Sequence, residues 1–209
     1  MPPPEEPSAS DPRIAFFDRL ASQWDTNEQD PEAAVDKVAA MADYLALRPG
    51  ENLLEVGCGT GQLTGWLAEQ VAPGRVVAID FSQGMLDRAR AKKLPAEFRL
   101  ADVCQDVLGE GCFDVAFCFH AFPHFRDQAA ALRNLARALC DGGRLIVMHL
   151  AASAAINAFH DQVGREVFGD HLPIGPQWDT LLGSTGFTLD QHLDGDGLFF
   201  LRATNGRSG

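Results

Sequence analysis

A chain of 209 residues is long enough to bury one substantial core, and its formal charge of −12 repels phosphate backbones and anionic lipid heads, which sets nucleic acid aside as a partner. Five cysteines, an odd number with no C-x-x-C pair, argue against a disulfide framework or a thiolate zinc site and for a reducing compartment, the cytoplasm. The opening MPPPEEPSASDP lacks the basic-then-apolar order of a signal peptide, and no apolar run reaches the ~18 residues of a membrane span.

Residues 1–12, rich in Pro, Glu and Ser, read as a disordered tail, as does the closing NGRSG. Over 13–24, Ile14, Phe17 and Leu20 recur at helical spacing, and a second helix over 31–46 carries Val35, Val38 and Leu45 before RPG stops it. Strand and helix then alternate. NLLEV (52–56) is a strand and TGQLTGWLAEQV (60–71) a helix. RVVAI (75–79) is a strand, followed by a helix capped by Ser82. EFRLA (97–101) and FDVAFCF (113–119) are strands. Asp127 N-caps a helix whose core stripe is Leu132, Leu135 and Leu139, ended by Gly142-Gly143. RLIVMHL (144–150) is a buried strand, and a helix follows over 153–168. PQWDTLLGSTG is a short helix, and strands FTLDQHL and GLFFLRA are joined by DGDG.

This order implies an α/β fold: a doubly wound, mostly parallel sheet with helices on both faces, one member of the final hairpin running antiparallel. One domain is expected over 13–204. It comprises a helical cover (13–46), a binding core (51–150) and an acceptor-side segment with the hairpin (151–204).

The first strand-to-helix turn reads LLEVGCGTG. Gly57, Gly59 and Gly61 let the backbone approach a ligand at a helix N-terminus, although a tight turn needs glycine in any case. Asp80 ends the next strand, where a carboxylate accepts from ribose hydroxyls, and Asp102 ends the third, within reach of an exocyclic amine. Taken singly, either is more often a cap or turn residue. Ligands of an open parallel sheet bind beyond its carboxyl ends, so Gly57, Asp80, Asp102 and His120 are expected on one crevice. The spacing departs from G-x-G-x-x-G, and Glu55 behind it would repel a pyrophosphate. It suits a sulfonium or an ammonium instead. This disfavours a nicotinamide dehydrogenase.

In this order, LLEVGCGTGQLTGWLA, VVAIDFSQGMLDRAR, FRLADV, FDVAFCFHAFPHF and LARALCDGGRLIVMHL resemble the successive motifs of class I S-adenosylmethionine-dependent methyltransferases. The likeness is to the broad group that includes quinone-biosynthesis enzymes, and it covers roughly residues 14–203. It implies a seven-stranded sheet with an antiparallel last strand, S-adenosyl-L-methionine as cofactor and a small-molecule acceptor, with the oligomeric state open between monomer and homodimer. Glu55, Gly57, Cys58, Gly59 and Gly61 would surround the methionine part. Asp80 would hold the ribose, Phe81 and Met85 would lie against the adenosine, and Asp102 and Val103 would read the adenine edge. Phe119 and His120 would close over the reactive end, and Trp24 and Asp25 would cover the site.

A methyl acceptor must lose any proton it carries, and histidine suits that task. His120 and His149 end strands at the ligand edge. His124 follows Pro123 in a loop and reads equally as a packing residue. His160 shares an apolar stripe with Ile156, Phe159, Val163 and Val167, which suits a hydrogen-bonded core histidine. The sharper expectation is that all four converge beside the methyl group, as a base with its orienting partner or as a metal site, although no ligand set is assigned. Cys58, Cys104 and Cys118 near strand ends allow metalloid methylation as a minor alternative. Phe159, Phe168, Leu172, Pro173 and Trp178 would make the acceptor cavity partly apolar, or would be core. A cofactor-binding protein without turnover remains the non-enzymatic alternative.

Overall fold

The computed structural model describes residues 11–27 and 31–206. The expected tail over 1–10 and the last three residues lie outside that range. Asp11 and Pro12, read as tail, instead begin the first helix: Asp11 accepts from the Arg13 N–H as N-cap, and Pro12 occupies the first turn, where a missing N–H costs nothing. Asn205, likewise read as tail, ends the last strand.

Among the described residues the N-terminal region holds four short helices: α1 (Pro12–Leu20), α2 (Trp24–Asn27), α3 (Pro31–Ala39) and α4 (Ala42–Leu45). Of these, α1 and α2 bring Phe17 and Trp24 to the carboxyl ends of the strands. Val38 and Leu45 pack with Leu53, Val76 and Ile146 on one face of the sheet, so 31–45 belongs to the core and not to the cover.

Strands and helices then alternate as the sequence pattern requires. They are β1 (Leu53–Val56), α5 (Thr64–Val71), β2 (Val76–Asp80), α6 (Gln83–Ala91), β3 (Glu97–Leu100), β4 (Phe113–Phe119) and α7 (Gln128–Ala138). After them come β5 (Leu139–His149), α8 (Ser153–His160), α9 (Pro176–Gly183), β6 (Phe187–Gly195) and β7 (Leu198–Asn205). A single 3₁₀ turn over Phe122–His124 lies between β4 and α7. The sheet order is β3-β2-β1-β4-β5-β7-β6, parallel from β3 to β5, with β7 antiparallel to both neighbours.

The hairpin turns on Asp196 and Gly197, at φ 48° and 76°, the positive pair that a two-residue turn between twisted strands needs. Adjacent residues of β1 point to opposite faces: Leu54 and Val56 join one core with Leu132, Leu135 and Trp178, and Leu53 joins the other.

Two helices end earlier than their apolar stripes suggest. α7 stops at Ala138 because Leu139 pairs with Phe113 and opens β5. α8 stops at His160, and Val163 and Val167 leave its line to pack, with Phe17 and Met85, under the cover. Among the described residues no helix is long and apolar enough to cross a membrane.

Candidate functional site

Strand order reverses between β1 and β4, and the carboxyl ends of β1, β2 and β4 open there onto one cleft. It is lined by Trp24, Glu55, Gly57, Cys58, Gly59, Asp80, Phe81, Met85, Asp102, Val103, Phe119, His120 and His124. The expected rim is therefore assembled from segments far apart in the chain.

Gly61 is the glycine that the cleft does not use. A Cβ there would lie 3.1 Å from Leu94 Cδ1 and 3.3 Å from Ala89 Cβ, so this glycine lets the loop pack on α6. Gly57 is the one the cleft depends on. Its φ is +70°, and a Cβ there would meet the Ala121 Cβ at 2.4 Å.

Asp80 ties the rim together. One carboxylate oxygen accepts from the Gly59 N–H and the other from the Ser82 N–H, both at 2.8 Å. Each oxygen keeps a lone pair for a further donor. Burial pushes this carboxyl up to about 6 against the pull of its backbone donors. Asp102 is held at the next strand end by the Cys104 N–H at 2.8 Å and the Gln105 side-chain amide.

Glu55 is fully enclosed. Its one hydrogen bond comes from the Thr64 hydroxyl at 2.6 Å, no cation of the chain pairs with it among the described residues, and burial pushes it up to about 8. A buried acid that pairs with no cation of the described residues, beside a glycine turn, fits a ligand that combines a nucleoside with a positive charge.

The raised values have a consequence for folding. Folded Glu55 and Asp80 retain protons that the unfolded chain has lost, so their contribution is full below their unfolded values of 4.5 and 3.8. It is lost as pH rises through about 6 for Asp80 and about 8 for Glu55. In thermal melts without ligand, Glu55→Gln is expected to gain on the wild type as pH climbs from about 4.5 to 8. A constant difference across that range would refute the burial account.

The cover is docked at separate points. Asp18 of α1 accepts from the Ser82 hydroxyl and from the Gly84 N–H at the start of α6. Asp25 of α2 accepts from the Thr60 hydroxyl and the Gln62 amide, and pairs with Lys92 at 2.9 Å. Arg13 of α1 forks onto Asp170, and Arg19 pairs with Glu166.

The four histidines form two ring pairs. His120 lies 5.0 Å from His149 and His124 lies 4.9 Å from His160. Only the outer members, His120 and His124, reach the cleft. His120 sits at φ 54°, and its Nε2 accepts from the Leu150 N–H at 3.2 Å, which leaves the ring proton on Nδ1. Burial, followed by the charge of His124, lowers it to about 4. His149 is 2% exposed and lowered well below the ordinary range by burial, and its Nε2 has no partner among the described residues. His160 is lowered by burial and by His124. It stands behind His124. Among the described residues no group of three or more His, Cys, Asp or Glu is arranged to hold a metal.

The family model for a methyltransferase domain matches residues 54–147. Demethylmenaquinone methyltransferase of Mycobacterium bovis is 32% identical over 167 residues, which span 78% of this chain and 69% of that protein. The chain belongs to the class I S-adenosylmethionine-dependent methyltransferases. Malonyl-[acyl-carrier protein] O-methyltransferase of Serratia marcescens is 31% identical over 66% of this chain and 52% of its own. Five curated relatives, that one included, are longer than their match, and the chain spans between 23% and 52% of their length. Magnesium protoporphyrin IX methyltransferase of Synechocystis, crystallised with S-adenosylmethionine, shares the fold, with a TM-score of 0.66 at 20% identity over 96% of this chain and 99% of that one.

Sequence reasoning assigned no site role to several residues that line this cleft. Phe17, read only as part of the helical cover, lines the cleft and packs 5.0 Å from the His124 ring. Gln62, Leu63, Phe125 and Arg126 also line it, and their adjacency to the glycine loop and to His124 was the available signal. In the opposite direction, Leu172 and Trp178 are core, Phe159 and Phe168 face solvent, and Leu172 and Pro173 border a separate surface groove. The segment after β5 does not wall the cleft with them. The cysteines do not converge: Cys58 and Cys118 pack in the cores of opposite faces, and burial pushes Cys58, Cys104 and Cys118 up. None is a poised thiolate.

Proposed function

We propose that the chain transfers a methyl group from S-adenosyl-L-methionine to a small-molecule acceptor that is activated by loss of an acidic hydroxyl proton, with His124 as general base. When bound, the cofactor supplies a methyl group activated on a sulfonium, which leaves as a neutral thioether. Glu55 would face the cation, Asp80 would accept from the ribose hydroxyls, and Asp102 with Val103 would meet the adenine edge. Phe17, Trp24, Phe119 and Phe125 give the cleft the aromatic walls that suit a planar acceptor. His120 is fixed as a neutral donor through Nδ1–H, so it orients the acceptor rather than deprotonating it.

The observation that carries this reading is the presence, on one cleft, of a buried acid without a cationic partner among the described residues and a histidine in the lining. The demethylmenaquinone methyltransferase among the relatives supports a hydroquinone as the acceptor class. The test is calorimetry with S-adenosylmethionine and S-adenosylhomocysteine, followed by transfer of a tritiated methyl group to reduced demethylmenaquinone and to simple phenols and catechols. Heat together with label in one of these acceptors is the expected result. Heat without label in any of them would leave a cofactor-binding protein lacking this chemistry, and no heat with either ligand would end the proposal.

A further inference from the structure

A histidine that takes protons needs one nitrogen bare and the other engaged. His124 meets this requirement through a residue that no motif of the sequence singles out. Its Nδ1 lies 2.8 Å from Oδ2 of Asp170, which is 46 positions away in the segment after α8 and 3% exposed. Asp170 is itself held from the other side. Arg13 of α1 donates from Nη2 to Oδ1 at 2.6 Å and from Nε to Oδ2 at 3.0 Å, a fork on one carboxylate. Burial would raise Asp170, but the bonds from His124 and Arg13 outweigh it and hold the group below the usual carboxylate value, so it stays an acceptor. Arg13 continues to Asp11, which also pairs with Arg126 at 2.9 Å beside the cleft. The His124 ring also stands at a steep angle to those of Phe17, 5.0 Å away, and His160, 4.9 Å away.

We infer that Asp170, clamped by Arg13, is the positioning residue for His124: it holds the ring proton on Nδ1 and aims a bare Nε2 at the acceptor. The inference rests on His124 being the base proposed above. In the step it serves, the acceptor O–H bond breaks and an N–H bond forms on Nε2. The imidazolium produced is stabilised by the Asp170 carboxylate and later returns its proton to water. Arg13 adds a positive charge behind the carboxylate. It holds the carboxylate in a single geometry, because a forked carboxylate cannot rotate away from Nδ1.

The deciding measurement needs no acceptor. Nitrogen-15 spectra of histidine-labelled protein saturated with S-adenosylhomocysteine, at alkaline pH, report which ring nitrogen of His124 holds the proton. Wild type is expected to carry it on Nδ1. In Asp170→Asn the amide N–H₂ turns toward Nδ1 and the proton moves to Nε2. Transfer of labelled methyl to reduced demethylmenaquinone then falls about 100-fold, with S-adenosylhomocysteine affinity unchanged, because the base is blocked. Asp170→Glu restores the Nδ1–H form. A wild-type spectrum with the proton on Nε2 overturns the inference even if every variant misfolds, and so does Asp170→Asn with the wild-type tautomer. Failure of the base reading looks different: the tautomers behave as stated, and turnover is insensitive to them.

Discussion

Gly57→Ala will cost the protein roughly 2–5 kcal/mol and with it most of its affinity for S-adenosylmethionine. Two penalties add. The backbone is left-handed at φ +70°, where a Cβ costs about 1–2 kcal/mol. The new methyl would also stand 2.4 Å from the Ala121 Cβ, and overpacking of that kind costs about 1–3 kcal/mol. Neither side can yield cheaply. The Gly57 N–H is bonded to the Ile79 carbonyl at 2.9 Å, and Ala121 is held between His120 and the 3₁₀ turn. Gly111→Ala is the control, since φ there is +56° and a Cβ meets nothing within 4 Å. It should lose only the backbone part. Chemical denaturation of both variants, with calorimetry on the first, checks the difference; equal losses would mean that the close approach to Ala121 contributes nothing.

The second large effect is on rate. His124→Gln is expected to lower methyl transfer about 10²–10⁴-fold, because glutamine keeps a donor for Asp170 but cannot take a proton. Cofactor affinity should stay near the wild-type value, since the side chain works on the acceptor side. His149→Gln and His160→Gln, whose rings do not line the cleft, should leave turnover within severalfold of wild type. A His124→Gln enzyme with wild-type turnover would transfer the base role elsewhere.

The fold was legible because its central strands β1, β2 and β4 are buried on both faces and read as nearly continuous apolar runs, and because Asp196-Gly197 announces a hairpin. Helix ends were less legible. Leu139 lies on the stripe of α7, yet its backbone is claimed by pairing with Phe113, a contact between residues 26 positions apart that local spacing does not encode. The meeting of Asp80 and Asp102 on one cleft was readable for the opposite reason: their positions at strand ends suffice to bring them there. The surroundings of His124 were not. Asp170 lies in a segment without periodicity, and its partners Arg13 and His124 lie 157 and 46 positions away.

The way the cover is fastened ties it to the proposed base. Asp18, Asp25 and Arg13 grip three different pieces of the body, the start of α6, the glycine loop and the segment that carries Asp170. The third grip is also the fork that fixes the carboxylate beside His124, so one arginine serves both the seating of α1 and the orientation of that ring.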